Sequence, residues 1–268
     1  TYVMGIVNMT PDSFSGDGLL AGADPVEAAV TQARRMVAEG ADIIDVGGES
    51  TRPGHEPVSA ADELGRVVAV VRALRETLPG LPLSVDTSKP AVADAALQAG
   101  ADIVNDVAGV TAGAALAPVA AVHDAPYIVM HSRAEPVCEN VVAETVDDLR
   151  VALVAAEGQG CRPESLIVDP GIGFGKTAEQ NLALLADLGA LRCLGRAVLL
   201  GTSRKSTIGK VLDLPAGERL EGTLATTALG VAAGIDIVRV HDVAANVRTA
   251  RMSDAIIRGG WTEEQRPQ

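Results

Sequence analysis

The sequence predicts a single-domain α/β protein, a closed (β/α)8 barrel of the TIM type. Eight short apolar runs rich in Val and Ile alternate with segments that carry helix signals. The runs are nearly continuously apolar, as in parallel strands that are covered on both faces. The chain has 268 residues, which suits one barrel of about 250 residues. We therefore expect one domain over residues 1–268, with a frayed tail after about residue 261. An open doubly wound sheet is the alternative.

The elements follow in order along the chain. Asp24 and Pro25 predict the start of the first helix, which Gly40 ends. Its expected buried stripe is Val26, Val30, Ala33 and Val37. A second helix starts near Ser59 and keeps one stripe of Leu64, Val67, Val71, Leu74 and Leu78. The predicted strands are Tyr2–Met9, Asp42–Gly48, Pro82–Thr87, Asp102–Val107, Tyr127–His131, Leu166–Gly171, Ala197–Ser203 and Asp236–Asp242.

A weak internal repeat supports this alternation. GADIID at 40–45, GADIVN at 100–105 and GIDIVR at 234–239 each read as a helix-ending Gly, a turn and a strand. A polar residue stands five positions after each Gly, namely Asp45, Asn105 and Arg239. The three strands therefore share one register, and we interpret Asp45 as a buried hydrogen-bonding partner.

The composition excludes several classes of partner. The formal net charge is −13, whereas binding to nucleic acid or to an anionic membrane needs a basic face. No apolar stretch approaches the ~20 residues that span a bilayer, and TYVMGIVNMT has no signal-peptide pattern. The three cysteines lack C-x-x-C spacing, which indicates reduced thiols. We expect a cytoplasmic protein that binds neither nucleic acid nor membrane.

The stretch LIVDPGIGFGKT, residues 166–177, ends like a nucleotide P-loop but lacks its spacing. The pattern G-x-x-x-x-G-K-[ST] needs Gly at position 170, where the chain has Pro170. The dinucleotide pattern G-x-G-x-x-G needs Gly at position 176, which is Lys176. What remains is an apolar strand that ends in a carboxylate, Asp169, and a Gly-rich loop. The stretch therefore predicts another kind of site.

Polar side chains stand at the carboxyl end of every predicted strand, where barrel active sites lie. Helix capping explains single short residues, but not Arg, Lys and His together. One group, Asp86, Asn105 and Asp169, suits a flat heterocycle that presents several N–H donors. A second group, which suits a phosphate or diphosphate, is Lys205, Arg239, His241 and Arg52. Asn8 offers a neutral oxygen ligand for Mg²⁺.

These residues lie in motifs that closely resemble those of the dihydropteroate synthases, the folate-pathway enzymes that sulfonamides target. The motifs cover the chain from end to end, so the set is far more specific than any one of them. They are GIVNMTPDSFS at 5–15, DVGGESTRPG at 45–54, SVDTSKP at 84–90, NDV at 105–107, MH at 130–131, DPGIGFGKT at 169–177, GTSRKSTIG at 201–209 and RVHDV at 239–243.

The resemblance implies a TIM barrel that joins 6-hydroxymethyl-7,8-dihydropterin diphosphate to 4-aminobenzoate, and it implies a homodimer. The pterin site would comprise Asp86, Asn105, Met130, Asp169 and Lys205. The diphosphate would lie at Asn8, Arg239 and His241, with Mg²⁺ near Asn8. The 4-aminobenzoate site would comprise Phe14, Thr51, Arg52, Pro53, Phe174 and Ser203, the first four of them in mobile loops after strands 1 and 2.

The implied chemistry is a dissociative displacement of diphosphate by an arylamine. Asp86, Lys205, Arg239 and His241 are the expected catalytic residues. Arg239, His241 and Mg²⁺ would stabilise the negative charge of the leaving diphosphate. The arylamine needs no strong base. Two alternatives stay open at this point: a pterin-binding methyltransferase that acts on a corrinoid, and a catalytically silent paralogue that only binds pterin.

Overall fold

The computed structural model describes residues 1–9, 24–49, 58–136 and 139–259. Its eight strands form one closed barrel in the order β1 to β8, and every neighbouring pair is parallel. The closed barrel confirms the predicted fold and excludes an open sheet. The strands are β1 Tyr2–Asn8, β2 Ile43–Gly47, β3 Leu83–Asp86, β4 Ile103–Asp106, β5 Tyr127–Met130, β6 Leu166–Asp169, β7 Ala197–Leu200 and β8 Ile237–Val240.

Each strand lies inside its predicted range and is shorter by one to three residues. The difference at the carboxyl ends has a physical cause. Residues such as His131 and Gly201 turn out of the ladder into the loops that carry the polar side chains.

Helices surround the barrel and connect its strands. In the described part of the chain the α-helices are α1 Pro25–Ala38, α2 Ala60–Thr77, α3 Pro90–Gln98, α4 Ala117–Val122, α5 Val141–Gly158, α6 Ala178–Ala186, α7 Ser206–Leu212, α8 Leu220–Ala233 and α9 Val243–Ile257. Short 3-10 turns cover Pro163–Ser165, Leu188–Leu194 and Ala216–Glu218. None of the helices described is long and apolar enough to cross a membrane.

The helix caps follow the sequence, but one predicted helix face does not. Asp24 accepts a hydrogen bond from Val26 N at 3.0 Å, and Gly40 after the helix has a left-handed φ of 101°. The predicted valine stripe of α1 is only half-buried. The residues buried against the barrel are Ala28, Ala29, Ala33 and Met36. Small side chains bring this helix close to the strands, so the valines come to lie at the edges of the contact. In α2 the predicted Val67, Val71 and Leu74 are buried, whereas Leu64 and Leu78 are half-buried.

The core has two layers. The larger lies between the strands and the surrounding helices, and it consists mainly of aliphatic side chains, with Met9, Met36, Cys161 and Tyr127 among them. The smaller fills the barrel itself and consists of Met4, Ile43, Ile103, Ile128, Leu199 and Ile237, with Ile167 packed against it. Because side chains two positions apart in a strand point the same way, this inner layer forms the floor under the next inward-facing residues.

Candidate active site

The inward-facing residues above the apolar floor are mostly polar. Two positions beyond Ile43, Ile103, Ile167 and Ile237 stand Asp45, Asn105, Asp169 and Arg239. At the same level β7 gives way to Gly201. A Cβ on this glycine would lie 3.8 Å from Asp169 Oδ2 and 3.9 Å from Lys205 Nζ. The missing side chain therefore leaves space between a carboxylate and an ammonium at the carboxyl end of the barrel.

Asp45 is the buried centre of this polar layer. Its Oδ2 accepts hydrogen bonds from Arg239 Nε at 2.6 Å and from Asn105 Nδ2 at 3.2 Å. The three polar residues of the internal repeat thus meet at one oxygen atom, which confirms the shared register and the buried role predicted for Asp45. The contact fixes the side-chain amide of Asn105 and the guanidinium of Arg239 in the barrel mouth.

Arg239 also contacts Asp86, so the two groups of predicted site residues are not separate. Its Nη2 lies 2.5 Å from Asp86 Oδ2. Burial raises the pKa of Asp86 to about 7; Arg239 opposes that rise, and the neighbouring Asp45 adds to it. Asp86 is therefore a carboxylate whose ionisation near neutral pH depends on the charges around it.

The buried Asp169 and the half-buried Lys205 attract each other electrostatically. Burial raises the pKa of Asp169, while Lys205 and the Gly171 N–H bond to Oδ1 at 2.7 Å oppose this. Burial lowers the pKa of Lys205 to about 8, against the effect of Asp169. Lys205 Nζ donates to the carbonyl of Ile172 at 2.5 Å and lies 4.6 Å from the centre of the Phe174 ring. The structure thus brings the predicted Phe174 to the predicted Lys205.

Ser203 and His241 join the loops that follow β7 and β8. Ser203 Oγ lies 3.0 Å from His241 Nδ1 and accepts a bond from the His241 main-chain N–H at 3.1 Å. The next residues are linked as well, because Arg204 Nε and Nη2 contact the two Asp242 oxygens at 2.9 and 2.5 Å. Arg204 has a φ of +59°, which turns the chain between Ser203 and Lys205. The sequence motifs contain Arg204 and Asp242, but nothing in their spacing indicated this pairing.

Met130 and Asn8 complete the described candidates. Met130 is buried at the end of β5, beside Asp169 in the ladder. Asn8 is half-buried at the end of β1. A Cβ on Gly47 would lie 3.5 Å from Asn8 Oδ1 and 3.6 Å from Asp86 Oδ2, so these two oxygens flank one bare glycine.

Four predicted residues lie outside the described residues, namely Phe14, Thr51, Arg52 and Pro53. The predicted loop motions after strands 1 and 2 fall in the same segments.

Comparison with known proteins gives one consistent result. The profile of the family described as "Pterin binding enzyme" matches residues 4–241. A dihydropteroate synthase of Clostridium beijerinckii is 47% identical over 259 residues, which cover 96% of this chain and 95% of that protein. A dihydropteroate synthase of Bacillus subtilis is 47% identical and covers 97% of this chain and 90% of that protein.

Solved structures agree with these relatives. Dihydropteroate synthase of Clostridium difficile, solved in the presence of pteroic acid, superposes with a TM-score of 0.89 at 46% identity, covering 96% of this chain and 97% of that one. The Xanthomonas albilineans enzyme, solved with 4-aminobenzoic acid, superposes with a TM-score of 0.90 at 41% identity, covering 99% of this chain and 94% of that one.

The barrel, its polar mouth and these relatives define a pterin-binding enzyme. The chain belongs to the pterin-binding enzyme family and, within it, to the dihydropteroate synthases. Its activity is that of a transferase of folate biosynthesis.

Proposed function

We propose that the polar layer of the barrel mouth binds 6-hydroxymethyl-7,8-dihydropterin diphosphate and condenses it with 4-aminobenzoate to give 7,8-dihydropteroate and diphosphate. The observation that carries this proposal is the convergence of Asp86, Asn105, Asp169 and Lys205 around Arg239 above an apolar floor. Carboxylates and an amide match the N–H donors and acceptors at the edge of a pterin. Met130, beside Asp169 in the ladder, offers an apolar side chain, and the bare Gly201 leaves space for a flat ring.

Arg239 has two roles in this proposal. Without substrate it neutralises Asp45 and Asp86. When the pterin N–H groups bind Asp86, the guanidinium end that held this carboxylate becomes available to the diphosphate, while Nε stays on Asp45. His241, held by Ser203, supplies a second donor on the same side. Donors fixed in place before the reaction stabilise charge that develops on the leaving group.

The residues present fit a magnesium ion that is bound through the substrate. The described residues contain no cluster of three His, Cys, Asp or Glu side chains that could hold a metal by themselves. Asn8 presents one neutral oxygen, and Mg²⁺ commonly binds with one or two protein oxygens, substrate phosphates and water. Asn8 would hold the ion against the diphosphate, and the ion would neutralise part of the leaving charge.

The bond between the pterin methylene carbon and the bridging oxygen breaks first in the proposed mechanism. The electron pair leaves with the diphosphate, where Arg239 and His241 receive the charge, and the electron-rich pterin stabilises the methylene cation. The amine of 4-aminobenzoate then forms the new C–N bond and loses a proton to water. In this proposal Phe174 and Ser203 border 4-aminobenzoate together with Phe14, Thr51, Arg52 and Pro53, which lie outside the described residues.

Steady-state kinetics test the pterin assignment. Pterin binding needs ionised Asp86, and contact with the substrate needs charged Lys205. Their pKa values of about 7 and about 8 predict that kcat/KM for the pterin diphosphate rises toward pH 7 and falls above pH 8. Lys205→Met should abolish the basic limb and lower kcat/KM by roughly 100-fold. A flat profile between pH 6 and 9 would contradict these roles, and pterin binding without product would favour the silent paralogue.

We also propose that the enzyme forms a homodimer through α6, α7 and α8. Large apolar side chains are exposed on these neighbouring helices, namely Leu182, Val211, Leu212 and Leu229. An exposed apolar surface shared by several helices is typical of a subunit interface. Sedimentation of wild type and Leu182→Glu tests this. We expect wild type to sediment as a dimer and Leu182→Glu to shift toward the monomer. Val122→Glu, on the exposed part of α4, is the control and should sediment like wild type. A wild-type monomer would contradict it.

The cytoplasm is the compartment that we propose for this reaction. Cys161 and Cys193 are free thiols, which agrees with a reducing environment. Thiol labelling of the enzyme in intact cells would test the assignment, and an oxidised Cys193 in freshly lysed cells would contradict it.

A further inference from the structure

Lys176, which at first sight completes a P-loop motif, faces main-chain carbonyls instead of an open phosphate site. We propose that Lys176 is a positioning residue that fixes the Gly-rich loop after β6 and, through this loop, the Phe174 ring of the proposed 4-aminobenzoate site. The loop, residues 170–177, is called loop 6 below. The inference rests on the proposed place of 4-aminobenzoate against Phe174.

The ammonium of Lys176 binds carbonyl oxygens from two loops. Its Nζ donates to Gly171 O at 3.0 Å, to Phe174 O at 3.2 Å and to His131 O at 3.4 Å. An ammonium has three N–H donors, enough for one to each of these carbonyls. Two of the carbonyls belong to loop 6 itself, and the third belongs to the segment after β5. Lys176 thus clamps loop 6 both internally and against its neighbour.

Loop 6 needs such a clamp because its own sequence restrains it weakly. Gly171, Gly173 and Gly175 all have left-handed φ values, of 63°, 86° and 59°. Glycine adopts many other conformations with equal ease, so the observed path depends on contacts from outside. The path is also tight. A Cβ on Gly171 would lie 1.7 Å from His131 O, and one on Gly175 would lie 1.9 Å from Arg133 O.

A second anchor lies on the helix side of the loop. The buried Asn181 of α6 accepts a bond from Gly173 N at 2.8 Å and donates to Thr177 O at 2.8 Å. Asn181 therefore fixes the middle and the end of loop 6. Lys176 fixes the carbonyls on either side of that middle, at residues 171 and 174, and the two anchors are complementary.

The clamped segment is the one that touches the proposed site. Ile172, between the two clamped carbonyls, offers its own carbonyl to Lys205 Nζ at 2.5 Å. Phe174 carries one of the clamped carbonyls, and its ring lies 4.6 Å from the same Nζ. A shift of loop 6 would displace the Phe174 ring directly, whereas Lys205 would keep the attraction of Asp169 on the pterin side. Loss of the Lys176 ammonium should therefore change the binding of the ring that packs there, and leave the Asp86 side of the site unchanged.

The test compares Lys176→Met with Lys176→Arg and with the control Lys210→Met. Methionine keeps an unbranched apolar stem without donors, and arginine keeps the charge. Lys210 is an exposed lysine of α7, so its loss matches the change in net charge. We expect Lys176→Met to raise KM for 4-aminobenzoate about tenfold, the equivalent of one weak charged hydrogen bond, with KM for the pterin diphosphate changed by less than about twofold. Lys176→Arg keeps the charge, so its KM for 4-aminobenzoate should lie between those of wild type and Lys176→Met.

A role confined to stability would give a different pattern. It would reduce the number of active molecules, so apparent kcat would fall in Lys176→Met while both KM values stayed as in wild type. That result would overturn the inference, and so would an equal rise of both KM values. Amide hydrogen exchange of the peptide over residues 170–177 supplies a readout independent of activity. Exchange should accelerate in Lys176→Met and not in Lys210→Met, and unchanged exchange would also overturn the inference. A wild type that forms no dihydropteroate would instead refute the proposed function, and exchange alone would then decide about Lys176.

Discussion

The role of Asp45 can be tested by replacing one of its carboxylate oxygens with an amide nitrogen. Asp45→Asn keeps the size and shape of the side chain but removes the negative charge that faces Arg239. Asp45 is fully buried, so water cannot replace the lost interaction. Arg239 keeps its ion pair with Asp86 and is less firmly oriented toward the diphosphate.

The size of the effect follows from the contact. The Arg239 Nε–Asp45 Oδ2 bond is 2.6 Å long, and hydrogen bonds to charged groups contribute about 1.5–3 kcal/mol. Asparagine retains one carbonyl oxygen as an acceptor, so we take the lower half of this range. A loss of about 1.5–2 kcal/mol in the transition state corresponds to roughly 10- to 30-fold in kcat/KM for the pterin diphosphate.

The same substitution has a second, more diagnostic effect. The charge of Asp45 helps burial to raise the pKa of Asp86, against the effect of Arg239. The substitution removes this charge and leaves Arg239 paired with Asp86 alone of the two. The ionised form of the Asp86 carboxyl is therefore stabilised. The pKa of Asp86 must then fall, and the acid limb of the kcat/KM profile should move to lower pH even though the maximum is reduced.

The assay measures diphosphate release between pH 5 and 9 for wild type, Asp45→Asn and Asp42→Asn. Asp42 lies at the opposite end of β2, where its carboxylate accepts a bond from Val3 N at 2.7 Å, and its variant should keep the wild-type profile. An acid limb that stays in place or moves to higher pH in Asp45→Asn would refute the electrostatic reasoning. Thermal unfolding of each variant excludes a general loss of folded protein.

Two further substitutions test the packing around the site. Tyr127→Phe removes the hydroxyl that donates to Asp106 Oδ2 at 2.6 Å, which should lower the free energy of unfolding by about 1–3 kcal/mol. Burial already raises the pKa of Asp106 to about 6, and loss of this donor raises it further. The decrease in the free energy of unfolding, measured in urea, should therefore be larger at pH 8 than at pH 5. An equal decrease at the two pH values would contradict this. Gly171→Ala places a Cβ 1.7 Å from His131 O at a φ of 63°, so loop 6 must move and activity should fall at least about tenfold. Gly189→Ala, which meets no atom within 4 Å, is the matched control, and equal activity of the two variants would refute the clash.

The fold could be predicted from the sequence because local patterns repeat. Each apolar run is a strand, and the Gly-to-polar spacing of five residues places Asp45, Asn105 and Arg239 at one level. Strand periodicity then turns all three inward above the isoleucines of the floor. These are properties of single segments, so they can be predicted without knowing which segments pack next to them.

The contacts between segments could not be predicted in the same way. The acceptors and the cations look like two separate groups in the sequence, yet Arg239 of β8 contacts Asp86 of β3. Barrel closure alone brings these residues together. The buried face of α1 was predicted only in part, for a related reason: Ala33 is buried, but the valines of the stripe are half-buried. Its alanines face the strands because close approach of helix and sheet favours small side chains, and hydrophobicity alone would place the larger valines there.

Product formation tests the central claim most directly. The protein is incubated with Mg²⁺, the hydroxymethyl-dihydropterin diphosphate and 4-aminobenzoate, and both 7,8-dihydropteroate and diphosphate are quantified in the same sample. We predict that the two products appear in equal amounts, only when both substrates are present, and that Asp86→Asn lowers their formation by roughly 100-fold. Pterin binding without either product, or full activity in Asp86→Asn, would contradict the assignment of this barrel mouth as the active site.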